Sequence, residues 1–102
     1  MQIARQDETH RVLLRLSGRF DFHCHGDFRR AYEEALETSP ASLLVLDFTE
    51  VDYLDSSALG MLLLLREKAD ASEKQIVLSG LQGMVKQILD VANFGKLFIV
   101  QP

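Results

Sequence analysis

Residues 43–68 read LLVLDFTEVDYLDSSALGMLLLLREK and predict a strand, a loop and a helix, in that order. The continuous apolar run at the start is too short for a helix and is typical of a strand covered on both faces. We expect residues 49–54 to form the connecting loop. The tripeptide Asp55-Ser56-Ser57 favours a helix N-terminus, and the apolar segment after it is too long for an ordinary strand.

The predicted helix has two distinct faces when its residues are placed at about 100° intervals around the axis. Ser56 lies on the outer face, where Leu59 and Leu63 flank it at i+3 and i+7. With Asp55 as the N-cap, bonded to the amide two or three residues on, Ser56 takes the first helical position and its hydroxyl projects outward. Ser57 points in another direction and is expected to cap or to pack. The opposite, core-facing side carries small and apolar residues: Ala58, Met61, Leu62, Leu65 and Ala69.

The length and composition predict a single globular domain over residues 1–102. There is no run of roughly eighteen apolar residues, and the N-terminus lacks the apolar core of a signal peptide, so we expect a cytoplasmic protein without membrane contact. The single cysteine, Cys24, agrees with a reducing compartment. A net charge of -4 offers no electrostatic footprint for direct binding of nucleic acid.

The N-terminal part of the chain predicts a hairpin followed by an amphipathic helix. Residues 1–5 and 11–17 are expected to be strands joined by a polar turn, and a loop at 18–26 leads into the helix. Pro40 ends that helix. Its apolar residues recur at helical spacing: Phe28, Ala31, Tyr32, Ala35 and Leu36.

The C-terminal part continues with a strand and a helix. Residues 75–78 predict a short strand, Ser79 is expected to cap the next helix, and residues 97–100 predict a last strand. Six residues form the apolar face of this helix: Leu81, Met84, Val85, Ile88, Leu89 and Ala92. The whole pattern predicts an α/β fold with three main helices and a mixed sheet of four to five strands, whose parallel central strands are joined by right-handed crossovers.

The chain lacks the constellations that common enzymes and metal sites require. His23, Cys24 and His25 are adjacent, so their side chains point apart, and no second ligand cluster occurs. We interpret these three residues as part of a loop and expect no metal and no cofactor. Ser56 is not in a Gly-x-Ser-x-Gly elbow, and the glycines after Ser79 lack a P-loop lysine. We therefore expect a protein that is not an enzyme.

Two interpretations of the tripeptide Asp55-Ser56-Ser57 follow from the residues alone. All three side chains are common at helix N-termini, so the segment is first a helix cap. The second interpretation is an exposed serine that can be modified, bordered by leucines suited to a docking surface.

The segment VLDFTEVDYLDSSALGMLLLL resembles the signature of STAS domains, the sulphate transporter and anti-sigma factor antagonist family. The shared pattern is an apolar strand that ends in Asp, a connector that ends in an apolar residue, and Asp-Ser-Ser before a small residue, Leu and Gly. LSGRFD at 16–21 and NFGKLFIV at 93–100 are similar to two further family stretches. The positions that match the signature are Asp47, Leu54, Asp55, Ser56, Ser57, Ala58, Leu59 and Gly60.

For a single-domain bacterial member, the resemblance implies an anti-sigma factor antagonist that acts by partner switching in transcription regulation. The unphosphorylated form binds an anti-sigma factor, often itself a serine kinase of the GHKL type. Phosphorylation releases that partner, and a PP2C-type phosphatase reverses the modification. By motif position the phosphoacceptor is Ser56. The resemblance and the outer helix face together assign the partner-binding residues: Asp21, Asp55, Ser56, Ser57, Leu59, Gly60 and Leu63.

Three departures from the common pattern leave the identity of the partner open: Phe20, the HCH stretch after Asp21, and Ala58. One alternative is a partner-switching regulator with a target other than a sigma pathway, such as a diguanylate cyclase or a secretion regulator. Another is a non-switching STAS subunit of a lipid-transport or stressosome-like assembly, in which the tripeptide only caps the helix.

Overall fold

One mixed β-sheet forms the centre of the computed structural model, which describes residues 1–101. Its strands lie side by side in chain order: β1 Gln2–Asp7, β2 Arg11–Phe20, β3 Leu43–Leu54, β4 Gln75–Ser79 and β5 Ile99–Gln101. The β1–β2 pair is antiparallel and the later pairs are parallel. The parallel strands are connected by α1 His25–Thr38, α2 Ser56–Ala71 and α3 Gly83–Val91. The predicted α/β class with an N-terminal hairpin is confirmed.

The helices cover one face of the sheet. Each crossover from β2 to β5 moves one strand in the same direction, and right-handed crossovers of this kind place their helices on one side. One row of register partners belongs to the core cluster that includes residues of all three helices: Leu14, Leu46 and Leu78. The next row forms a separate cluster on the other face: Leu13, Val45 and Val77. The start of β3 is therefore buried on both faces, as its composition predicted.

β3 is longer than predicted, because the expected loop at 49–54 belongs to the strand. The strand continues past the end of β4 and pairs with the end of β2, where Leu54 lies opposite Phe20. The register shifts at two places along this pairing, and at each of them β3 gains one residue relative to β2. Such irregularities break the alternation of apolar and polar residues, which is the sequence signal for a strand.

β2 also runs further than predicted, to Phe20, because its last residues pair with the extension of β3. The expected loop at 18–26 is reduced to Asp21 and a 3₁₀ turn, Phe22–Cys24, after which α1 begins at His25. The predicted apolar face of α1 packs into the core: Phe28, Tyr32, Ala35 and Leu36 are buried and Ala31 is partly buried.

The entry to α3 differs from the prediction that Ser79 caps this helix. Ser79 is the last residue of β4, and α3 begins only at Gly83, after Gln82, whose side chain makes no capping hydrogen bond. Gly80 has a φ of +73°, and a Cβ atom there would lie 2.3 Å from Oγ1 of Thr49. Because the chain must pass this close to β3 before it enters the helix, only glycine fits at position 80.

The closing strand begins two residues later than predicted. A 3₁₀ turn, Phe94–Lys96, precedes it, and Phe98 is buried in the core with its ring stacked on Phe94 at a centroid distance of 5.4 Å. β5 therefore starts at Ile99 and not at Leu97.

Candidate functional site

The ends of β2 and β3 bring Asp21 and Asp55 to the same edge of the sheet. Phe20 and Leu54 are register partners, so the residues that follow them leave the sheet side by side. The amide of Asp55 donates a hydrogen bond to the carbonyl oxygen of Phe20 at 3.3 Å. The fold thus joins two predicted site residues that are far apart in the sequence.

Asp55 is the N-cap of α2, as predicted. Its backbone is extended, and its Oδ1 accepts a hydrogen bond from the amide of Ala58 at 3.1 Å. This contact satisfies one of the free amides at the helix start, so α2 does not need a serine hydroxyl for that purpose. Ser56 is the first residue of the helix.

Both serines that follow Asp55 are exposed. Within residues 1–101, neither hydroxyl takes part in a hydrogen bond. The expectation that Ser57 caps or packs is wrong, because Asp55 already caps the helix and Ala58 is the first residue that turns into the core. Exposure alone therefore does not distinguish Ser56 from Ser57.

Asp21 organises the turn that follows β2. Its Oδ1 accepts a hydrogen bond from the amide of His23 at 3.0 Å, and Nδ1 of His23 lies 3.3 Å from the same oxygen. Arg19 approaches Oδ2 at 3.6 Å. Partial burial acts to raise the pKa of Asp21, but the hydrogen bonds from His23 and the charges of His23 and Arg19 outweigh it and hold the pKa below its ordinary value. Asp21 is thus an anion at the edge of the sheet.

The three residues of the HCH stretch lie in different environments. They belong to the 3₁₀ turn and the first residue of α1, not to a loop as expected. His23 and His25 are exposed, whereas Cys24 is buried and its Sγ donates to the carbonyl oxygen of Arg19 at 3.1 Å. Cys24 therefore packs as a small apolar residue beneath the turn.

Residues 1–101 contain neither a cluster suited to a metal ion nor a helix that could span a membrane. No group of three or more His, Cys, Asp or Glu side chains comes close enough together to hold a metal ion. None of the helices combines the length and the apolar character that a membrane span requires.

Phe22 is a surface aromatic residue that sequence analysis missed. Its side chain is 60% exposed and its ring lies against the ring of His23, with centroids 4.0 Å apart. Because Phe22 directly follows Asp21, it lies at the same edge of the sheet as Ser56. A single phenylalanine in an expected loop has no periodic pattern around it that would indicate exposure.

Leu59 and Leu63 extend the Ser56 side of α2 along the helix. Leu59 is half-buried, Leu63 is 40% exposed, and Gly60 between them is exposed. The residues predicted for the core side of the helix are all buried: Ala58, Met61, Leu62, Leu65 and Ala69. The two predicted faces of α2 are thus confirmed.

α3 adds apolar surface next to these leucines. A groove between the two helices is lined by Leu59, Gln87, Ile88, Val91 and Ala92. The predicted core face of α3 was too wide: Val85 and Leu89 are its buried residues, while Met84 is 42% exposed. α3 runs only from Gly83 to Val91, so Leu81 and Ala92 lie outside the helix, and the side chain of Met84 in its first turn stays largely uncovered.

Comparison with known families agrees with this geometry. A family model described as Mlab, STAS domain, matches residues 3–101. The chain belongs to the STAS domain family. The match extends over nearly the full chain and confirms the resemblance that the signature around Asp55 indicated.

Two relatives of this STAS domain are known proteins of bacteria. A STAS-domain containing protein of Pseudomonas aeruginosa is 47% identical over 87 residues, which cover 85% of this chain and 84% of the relative. The anti-sigma F factor antagonist of Paenibacillus polymyxa is 25% identical over 99 residues, which cover 95% of this chain and 85% of the relative. A distant relative of this STAS domain therefore carries the name of an antagonist.

Solved structures of SpoIIAA share the fold of this STAS domain. The Bacillus cell fate determinant SpoIIAA in its phosphorylated form gives a TM-score of 0.74 at 18% identity and covers 99% of this chain and 92% of its own. The anti-sigma factor antagonist SpoIIAA in its unphosphorylated form gives 0.76 at 20% identity and covers 99% and 88%. At this identity the likeness establishes the fold, a mixed sheet with an N-terminal hairpin and helices on one face.

Proposed function

We propose that this STAS domain is an anti-sigma factor antagonist whose binding to its partner is switched by phosphorylation of Ser56. The observation that carries the proposal is the exposure of Ser56 at the first position of α2, while Asp55 caps the helix. The hydroxyl can react without loss of a structural contact. The relative from P. polymyxa and SpoIIAA are both named as antagonists, and SpoIIAA has a phosphorylated form, which supports the same role here.

Ser56 is preferred to Ser57 because of its place in the motif and on the helix. In the family the serine directly after the Asp is the acceptor, and that position is Ser56. Leu59 and Leu63 follow at i+3 and i+7, so a phosphate on Ser56 would lie within the exposed apolar side of α2. Ser57 lies about 100° further round the helix, away from that surface.

A phosphate on Ser56 should leave the fold intact. It adds about -1.5 to -2 charges at the start of α2, where free amides and the helix dipole favour an anion. Ser56 is exposed, so no neighbouring side chain has to move to make room. The phosphorylated domain should therefore keep the same structure.

The same charge should prevent binding. A partner that covers Leu59 and Leu63 has to exclude water from Ser56 as well. A dianion cannot be desolvated in an apolar contact unless a strong cation lies opposite it, whereas a neutral hydroxyl is far less costly to bury. The carboxylates of Asp21 and Asp55 already lie at this edge and add to the cost.

This role implies specific partners. The unphosphorylated domain binds an anti-sigma factor, or a GHKL-type serine kinase that acts as one, and a PP2C-type phosphatase restores that form. We place these events in the cytoplasm, without direct contact with nucleic acid or a membrane. The partner-binding surface comprises Phe22 and the seven residues predicted from the sequence. Those seven are Asp21, Asp55, Ser56, Ser57, Leu59, Gly60 and Leu63.

Two alternatives use the same edge of the molecule. The partner could belong to a pathway without a sigma factor, such as a diguanylate cyclase or a secretion regulator, and the switch would then be unchanged. In the other alternative the domain is a non-switching subunit of a lipid-transport or stressosome-like assembly. The hydrogen bond from the amide of Ala58 to Asp55 caps α2 in either case, so the phosphorylation assay, and not the cap, separates this possibility from the switch.

The test combines a kinase assay with a binding assay. The domain is incubated with ATP and a GHKL-type serine kinase from the same organism, and the phosphate is located by mass spectrometry. Partner capture by wild type, Ser56→Ala and Ser56→Asp is then compared. We expect phosphate on Ser56, constitutive capture by Ser56→Ala, and a loss of about tenfold or more in affinity for Ser56→Asp.

Each contrary result excludes one part of the proposal. Phosphate on Ser57 alone would show that Ser56 is not the phosphoacceptor. Equal capture by all three proteins, with no phosphorylation, would establish the non-switching subunit.

A further inference from the structure

The apolar surface next to Ser56 extends beyond the predicted partner-binding residues. We call it the α2–α3 groove. Four apolar residues line it, Leu59, Ile88, Val91 and Ala92, and we include the exposed Leu63 and Met84, which continue the same sides of the two helices. Leu63 lies one turn beyond Leu59 on α2, and Met84 lies one turn before Ile88 on α3, so both extend the lining. Val91 is 85% exposed, and Gln87 is the polar member of the lining.

One wall of the groove is long enough to contact about two turns of a bound helix. α2 and α3 both connect parallel strands, so they run in the same direction, and their N-termini lie at the edge of the sheet that carries Ser56. From Met84 to Val91 the apolar wall extends about 10 Å along α3, or about two turns. An amphipathic helix uses apolar residues at i, i+3 or i+4, and i+7 to fill a groove of this length.

Two exposed carboxylates lie beside one end of the groove. Met84 also borders a second depression, which contains Glu50 and Asp52 on the part of β3 that extends past β4. Both carboxylates are exposed, and within residues 1–101 neither forms an ion pair. The charged residues of α3, Lys86 and Asp90, pair with each other at 2.9 Å. The unbalanced charge at this end is therefore negative.

We propose that the α2–α3 groove binds an amphipathic helix of the partner protein, with the cationic end of that helix against Glu50 and Asp52. The apolar residues of the groove supply the affinity, and the carboxylates set the direction of the helix. The inference rests on the proposed function, because the helix belongs to the partner that Ser56 controls. A helix in this groove would also cover Leu59, one turn from Ser56.

The occupant can be identified by selection from a peptide library. A displayed library of helix-forming peptides of about 16 residues, or four to five turns, is selected on the immobilised wild-type domain. We expect enriched peptides with apolar residues at helical spacing and with Lys or Arg at one end. Enriched peptides that are acidic, or that lack the helical spacing, would overturn the proposal, and so would the absence of enrichment.

Substitutions then locate the bound peptide. Val91→Glu and Met84→Glu should each weaken the selected peptide about tenfold or more, since they place a charge in the groove. Leu64→Glu is the matched control, because Leu64 is 49% exposed on α2 but lines a different groove, towards α1. Equal weakening by Leu64→Glu, or none by Val91→Glu, would place the peptide elsewhere. Val91→Glu should keep the wild-type melting temperature, so its result does not depend on folding.

The charge is tested separately. The double variant Glu50→Gln/Asp52→Asn should weaken the selected peptide several-fold at low salt and reduce the salt dependence of its binding. Glu37→Gln/Glu73→Gln removes the same charge from exposed positions at the opposite end of the molecule and should have no effect. If the two double variants behave alike, the direction assigned to the helix is wrong.

Two further results distinguish the remaining possibilities. A concentration-dependent dimer in sedimentation analysis, abolished by Val91→Glu, would assign the groove to a second copy of this chain and overturn the proposal. Selection of peptides involves neither the kinase nor phosphate, so its failure leaves the Ser56 switch untouched. Conversely, peptide binding in the groove combined with partner capture that ignores Ser56→Asp would overturn the switch alone.

Discussion

The amide of Asp55 donates a hydrogen bond to the carbonyl oxygen of Phe20 at 3.3 Å, and this contact ties the start of α2 to the end of β2. Phe20 is fully buried, and its ring packs on Phe28 and Phe48 with centroids 4.8 and 6.2 Å away. The exposed Ser56 thus follows directly on a residue that is bonded to the aromatic core. The phosphate that we propose on Ser56 should therefore change the charge of the surface and leave its shape unchanged.

Asp55→Ala should lower the free energy of unfolding by about 0.5–2 kcal/mol, because it removes the side chain that caps α2. Asp55→Asn should retain most of the stability, since its amide oxygen can accept the same hydrogen bond. Urea denaturation measures both. Asp52→Ala, at an exposed position, serves as the control and should stay within about 0.5 kcal/mol of wild type. An unchanged midpoint for Asp55→Ala would mean that the cap contributes nothing.

Ser56→Asp should separate binding from stability. The substitution should change the free energy of unfolding by less than about 0.5 kcal/mol, because the side chain is exposed and the helix dipole offsets repulsion from Asp55. The same variant should bind the partner about tenfold or more weakly in calorimetry. Ser42→Asp adds the same charge at an exposed serine outside the partner-binding surface, so it is the matched control and should bind like wild type. If both variants unfold at a lower urea concentration than wild type, the weaker binding would follow from lost stability and not from charge at the interface.

Leu63→Lys should abolish partner binding with little loss of stability, because its side chain is 40% exposed. Leu62→Ala, at the fully buried neighbouring position, should instead cost about 2–5 kcal/mol. Leu64→Lys provides a control for the introduced charge at an exposed leucine. Thermal unfolding and partner capture are measured together. A large drop in the melting temperature of Leu63→Lys would show that Leu63 contributes to the core.

Gly80→Ala should destabilise the domain by about 1–3 kcal/mol or more. A Cβ atom at this position would lie 2.3 Å from Oγ1 and 2.9 Å from the amide nitrogen of Thr49, and φ is +73°. The matched substitution is Gly60→Ala in α2, where a Cβ atom meets nothing within 4 Å. That variant should be more stable by about 0.5–1 kcal/mol, since alanine favours the helix. Opposite signs in chemical denaturation are the expected result.

Asp21→Asn should change how the free energy of unfolding depends on pH in the acid range. The pKa of Asp21 is lowered in the folded state, as the hydrogen bonds from His23 outweigh the effect of burial, so its carboxylate stabilises the fold above its ordinary pKa of 3.8. That contribution is lost as the pH falls below 3.8 through the folded-state value. Wild type should therefore exceed Asp21→Asn in stability at neutral pH, and the difference should shrink in acid. A difference that is constant from pH 7 to pH 2 would contradict this assignment.

Local sequence patterns predicted the elements whose determinants are close together in the chain. The cap formed by Asp55 and the two faces of α2 depend on spacings of three to four residues, and both are confirmed. The strand at 49–54 was missed because the two register shifts of β3 against β2 conceal its alternation. The role expected of Ser57 was wrong, since the wheel shows the direction of a side chain but not whether another element covers it, and Ser57 is exposed.

The sequence by itself determined the family, the order of strands and helices, and the position of Ser56 at the start of α2, because each of these follows from contiguous residues. Only the tertiary structure decided that Asp21 lies beside Asp55, that Phe22 and Val91 are exposed, and that α2 and α3 leave an apolar groove between them. These features depend on strand register and on how much of each helix the sheet covers. Both are set by contacts between residues that are distant in the chain, which no local pattern encodes.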